Sequence, residues 1–196
     1  MKLAKTFWSL GNLLINITII IYIVLMSKAP QDIAERYIYI NENWTVYGAH
    51  WKAEFLFMTL ITIGAFYFAA RFKKLSWSVI VIGQFILLLT YPLMLGGYRN
   101  TPLELAEMAN QMAVVVFTFG NLILFVGLFL LYWNDQLLQK WLRNIAIGLT
   151  AIGFLAFITT FMEIITWKQA MMIGPLMNLL FLINAYYGLK IGKNDE

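Results

Sequence analysis

The chain has 196 residues, 61% hydrophobic and only 12% charged, with a mean hydropathy of +0.74, a formal charge of +4 and no cysteine. An average soluble domain is about 45–50% apolar and about 25% charged, so the solvent this composition asks for is lipid. Without cysteine there are no disulfides, thiolate metal sites or iron–sulfur clusters, and a single histidine, His50, argues against a multi-histidine metal centre; neither a metal nor a cofactor is expected. The basic residues are scattered at the ends of apolar runs, which suits membrane anchoring and not nucleic acid.

Charged residues divide the sequence into six uncharged runs, at 6–27, 55–70, 75–98, 108–134, 144–162 and 169–189. Each is close to the roughly 20 residues a helix needs to cross the hydrocarbon. Their apolar residues do not alternate, which rejects a transmembrane β-barrel. The expectation is an all-α, polytopic integral membrane protein. It forms a single membrane domain of six transmembrane helices, at about 7–26, 50–72, 77–95, 102–133, 142–167 and 170–191.

The first run begins after Lys2 and Lys5 and is too long for the hydrophobic core of a signal peptide, so it is read as a retained helix. Ser9, Asn12 and Asn16 fall on one of its faces. Ala29-Pro30 stops it. An outer polar segment, 27–54, follows, in which a short interfacial helix or an extended piece is expected around 31–40. Trp44, Tyr47 and Trp51 are residue types that settle at headgroup level, and Asn43-Trp44-Thr45 matches a glycosylation sequon. Pro92 should kink or end the third helix, and the GGYRNTP stretch at 96–102 is turn chemistry with Pro102 placed to open the fourth. The tail 192–196 is too short to be a domain.

Six spans put both termini on one side. That side collects nine lysines and arginines (Lys2, Lys5, Arg71, Lys73, Lys74, Lys140, Arg143, Lys190, Lys193) against five on the other (Lys28, Arg36, Lys52, Arg99, Lys168). The positive-inside rule makes the first side cytoplasmic, in a plasma (inner) membrane. Three short matches, such as Ser9–Leu13 with Thr118–Leu122, recur in the same order in both halves and suggest a 3+3 inverted repeat of the kind found in transporters.

The candidate site lies at the outer end. His50 and Glu54 are spaced i, i+4, a geometry for an acid/base pair or simply for a wet interfacial pair. Glu104, Glu107, Gln111, Thr118 and Asn121 form a polar stripe down the fourth helix. Glu163, with Thr159 one turn before it, is a carboxylate at the end of an otherwise uncharged run, where it either faces the bundle interior or reaches headgroup water. The expected ligand-binding set is therefore His50, Glu54, Glu104, Glu107, Gln111, Asn121, Thr159 and Glu163, lining an outward-facing acidic cavity for a small cationic or proton-coupled solute. The rival reading is a non-catalytic accessory subunit with partner membrane subunits, or a homo-oligomer. A third is a membrane enzyme acting on a lipid headgroup, which no nucleophile or metal set accompanies.

Overall fold

A computed structural model describes residues 1–191, and these are helical almost throughout. The elements are α1 (Lys2–Lys28), α2 (Ile33–Glu42), α3 (Trp44–Phe72), α4 (Leu75–Leu88), α5 (Thr90–Tyr98), α6 (Leu103–Trp133), α7 (Lys140–Phe161), the short α8 (Trp167–Ala170), a 3₁₀ turn (Met171–Ile173) and α9 (Gly174–Lys190). Among the described residues, five helices are long and apolar enough to cross a membrane: α1, α3, α4 with α5 as one stretch, α6 and α7. The final helix is shorter, 17 residues, at the lower limit for a span. The tail 192–196, with Lys193, lies outside the described residues.

Several boundaries differ from the sequence expectation, each for a local reason. The polar segment 27–54 is not one loop. It contains the last two residues of α1, all of α2 and the first eleven residues of α3. Asp32 caps α2 by accepting from the Glu35 N–H at 3.0 Å, with Glu35 at the third helical position. The third apolar run breaks at Leu89, between α4 and α5. Pro92 is the cause: it has no N–H for the Leu88 carbonyl and its ring crowds that oxygen. The expected helix 142–167 stops at Phe161. Glu163 adopts φ 58°, its N–H donates to Thr160 O, and the Ile164 N–H donates to Thr159 O, the two bonds of a Schellman turn. A new start follows at once, where Thr166 and Gln169 exchange hydrogen bonds as a capping box.

Successive long helices run antiparallel, so the bundle has two ends. The near end holds the start of α1, the α3–α4 and α6–α7 links and the end of α9. The far end holds α2, the 99–102 link and the turn at Glu163. Contacts run from α1 to α3, α3 to α4, α4 to α6, α6 to α7, α7 to α9 and back from α9 to α1, a closed circuit.

Small residues set the closest approaches. Gly64 of α3 lies against Trp8 and Ala4 of α1, and Gly11 against Ile61 and Phe57. Gly83, Gly120 and Gly127 keep one register between α4 and α6, meeting Leu124, Leu87 and Ile80 respectively. Packing of this kind, with no water to expel, is what joins helices in lipid. Polar side chains add interhelical bonds: Asn16 Nδ2 donates to Asn178 O (2.6 Å), Trp8 Nε1 to Asn184 O (2.8 Å), and the Tyr132 hydroxyl to Asn184 Oδ1. An aromatic core of Trp8, Phe68, Trp77, Tyr132 and Tyr187 fills the near half.

The outer surface is the more apolar one. On α1 the buried face carries Ser9, Gly11, Asn12 and Asn16, while Leu10, Leu13, Ile17, Ile20, Ile21 and Val24 are exposed. Phe66, Phe85, Leu89 and Leu155 are each more than half exposed on other helices. A continuous apolar exterior around a partly polar interior is stable in lipid and not in water. The protein is a helical membrane protein.

Candidate functional site

The far end is closed by α2, which lies across the helix ends. Its Ile40 packs with Tyr47, Trp51 and Tyr98, all buried. The Tyr37 hydroxyl donates to Thr101 O and the Asn100 N–H to Asn41 Oδ1 (3.0 Å), which pins α2 to the 99–102 link. Arg36 turns back to donate to Pro30 O and Gln31 O, and Arg99 sits over the Trp44 ring at 5.9 Å.

Beneath this cap lies the pair on α3. His50 Nε2 is 3.2 Å from Glu54 Oε1, with side-chain exposures of 4% and 14%. The i, i+4 spacing on a continuous helix brings them together. The Tyr22 ring of α1 stacks on the imidazole, centroids 5.7 Å apart and planes 15° from parallel. Tyr91 packs edge-on against Phe55. The Nε2–carboxylate contact is short but poorly directed, so Nε2 has no aligned hydrogen bond. Among the described residues, His50 is the one group that forms an ion pair with Glu54, and no lysine or arginine does.

The depth of the pair follows from helix geometry. Glu54 is 18 residues before Phe72, the end of α3, about 27 Å of rise against a hydrocarbon core of about 30 Å. Glu54 thus stands about one apolar-layer thickness along the helix from its near end, and its side chain is largely covered by protein.

The other six expected residues do not join this pair. Glu107 is half-buried and lines a small pocket of about 10 Å³ with Arg36, Tyr37, Tyr98 and Asn110. Glu104 and Gln111 are exposed. Asn121 is buried but donates to the Phe117 carbonyl of its own helix (2.8 Å), as buried Thr118 does to Val114 O. Thr159 donates to Leu155 O and Ala156 O. Glu163, expected on a helix, is exposed in the turn beyond it. The α6 stripe thus divides into a surface portion and a self-bonded interior portion. A 31-residue helix turns its i, i+3 and i+7 positions gradually around its axis.

Sequence reasoning missed Tyr22, Tyr91 and Asn110. Asn110 accepts a hydrogen bond from the Tyr98 hydroxyl at 3.0 Å. The signal for Asn110 was available, since it is one turn from both Glu107 and Ala106 on a helix with few polar residues. No local signal marks Tyr22 or Tyr91, which reach the site from other helices. Compared with known proteins, the chain matches no family model, no curated protein and no solved structure.

Proposed function

We propose that the chain is a six-span protein of the plasma (inner) membrane, with both termini cytoplasmic, that binds a small cation or couples a proton at His50 and Glu54. The observation that carries this is the pairing of buried His50 with half-buried Glu54. A carboxylate at the edge of the hydrocarbon is costly unless neutralised, and ionisable groups placed there mark function by default. Among the described residues, the one ion-pair partner of Glu54 is the His50 imidazole, with no lysine or arginine beside it. A small cation or a proton is what a carboxylate in this position is placed to take. The pair replaces the broad acidic cavity of the sequence reading as the centre of the proposal, with Glu107 in a separate small pocket at the far end. Transport by a 3+3 inverted repeat belongs to the same proposal. Gly64 meeting α1 and Gly153 meeting Phe125 of α6 support it, whereas Gly120 meets α4 where the repeat would have it meet α7.

The test is uptake or proton release in proteoliposomes. Glu54→Gln should abolish it, and His50→Ala should weaken it. Transport unchanged in Glu54→Gln rejects the proposal.

A second reading, an accessory subunit of a larger membrane assembly or a homo-oligomer, is favoured by the packing of the far end. There the aromatic cap leaves about 10 Å³ between Arg36 and Glu107. A stoichiometric membrane partner recovered with the purified chain, together with no transport by the chain alone, selects this reading.

A further inference from the structure

The near end carries a second polar feature, separate from the His50–Glu54 pair. A cleft of about 700 Å³ opens between the α3–α4 link, the α6–α7 link and the end of α9. This volume is in the range of small-molecule sites, about 300–1,000 Å³. One wall is the start of α4. Lys74 is its N-cap residue and makes no capping hydrogen bond. The first N–H groups to find partners are those of Trp77 and Ser78, both on Lys74 O. Those of Leu75 and Ser76 meet no acceptor among the described residues.

An uncapped helix start with lysines at its N-cap and the position before it runs against the helix dipole, which favours negative charge there. Such an end is complementary to an anion. Ser76 supplies an independent indication. It lines the cleft, is 8% exposed, and its hydroxyl has no partner among the described residues. Its oxygen opens onto the cleft, where a ligand can bond to it.

The remaining charge in the cleft wall is Asp135, whose carboxylate is turned onto donors of its own loop. Its carboxylate accepts from the N–H groups of Leu137 (3.1 Å) and Leu138 (2.8 Å), and Arg143 Nη1 donates to its backbone oxygen (2.9 Å). The rest of the wall is largely apolar: Phe72, Leu75, Trp77, Leu130, Leu131 and Leu137. The cleft therefore offers cationic and N–H donors at one edge, an apolar trough beside them, and a position at the helix ends where headgroups lie.

We propose that this cleft binds a phosphate-bearing group, the headgroup of an anionic phospholipid, with its phosphate at Lys74, the Leu75 and Ser76 N–H groups and the Ser76 hydroxyl, and its glycerol and first acyl carbons in the apolar trough. Binding there restores the charge balance that the α4 start lacks.

The test uses the full chain purified in a non-ionic detergent and follows thermal unfolding against added dihexanoyl phosphatidic acid, dihexanoylglycerol or inorganic phosphate. Binding to the folded state raises the melting temperature by mass action. Phosphatidic acid should give a saturable rise and dihexanoylglycerol none. Lys74→Glu should weaken the response about tenfold or more, and Ser76→Ala less, as expected for loss of a charged and a neutral partner. Lys52→Glu, an exposed change at the far end, should leave it intact. The melting temperature without ligand checks that each variant folds, and Ser76→Ala serves if Lys74→Glu does not. A response to inorganic phosphate as strong as that to phosphatidic acid upholds phosphate recognition and assigns the source to a soluble phosphate. An equal response to dihexanoylglycerol, no response to either phosphate ligand, or responses unchanged in both Lys74→Glu and Ser76→Ala overturn the proposal.

Discussion

Replacing Gly83 by alanine tests the backbone-to-backbone approach of α4 and α6. A Cβ built at Gly83 would be 2.6 Å from Leu124 N, 2.9 Å from Leu124 Cα and 3.0 Å from Gly120 O. Ordinary contact begins at about 3.5 Å, so the new methyl is about 0.9 Å too close. All three obstructing atoms belong to the α6 backbone, which cannot rotate aside as a side chain can. The helices α4 and α6 must part along their shared register, loosening Gly120 on Leu87 and Gly127 on Ile80 as well. Overpacking of this kind costs about 1–3 kcal/mol. Alanine's higher helix propensity returns about 1 kcal/mol, which leaves a net loss of up to about 2 kcal/mol. Gly148→Ala is the control. It lies within α7 with nothing inside 4 Å of its Cβ, so it should be neutral or stabilising by up to about 1 kcal/mol. Heat challenge in detergent followed by size-exclusion recovery measures both. If Gly83→Ala survives as well as Gly148→Ala, the α4–α6 approach is not backbone to backbone and the register argument fails.

Glu163→Gly should stabilise the protein by about 1 kcal/mol, because it removes a Cβ from the left-handed position after α7, and a drop in melting temperature would contradict the Schellman assignment. His50→Ala should cost about 2 kcal/mol by leaving Glu54 without its partner. That is below the roughly 3–5 kcal/mol of a fully buried pair because Glu54 keeps some exposure, and the double change His50→Leu with Glu54→Leu should recover most of it in chemical denaturation. Asn184→Leu orphans the buried Tyr132 hydroxyl and should cost about 1–2 kcal/mol, whereas Asn184→Leu combined with Tyr132→Phe should be milder. Asp32→Ala removes the cap of α2, worth about 1 kcal/mol, and should speed amide exchange in α2 while leaving α6 unchanged.

The line between local and tertiary information runs through particular residues. Hydropathy and run length alone identified a helical membrane protein, because burying backbone in lipid admits few other solutions. Pro30 and Pro92 marked helix interruptions for steric reasons that act within one turn. Gly11, Gly64, Gly83, Gly120 and Gly153 were legible as contact positions, since close approach in lipid depends on small residues. The pairing of His50 with Glu54 followed from spacing. What spacing could not supply was the surroundings. Tyr22 comes from another helix to cover His50, and α2 closes the far end over it. Only the rotation of α6 against its neighbours decided that Asn121 turns inward while Glu104 and Gln111 face out. Glu163 left its helix because a left-handed turn and the Thr166–Gln169 capping box compete with continued helix, and hydropathy does not register either. The near-end cleft joins Lys74, Ser76 and Tyr187 across long stretches of chain, so it exists only once the helices are packed.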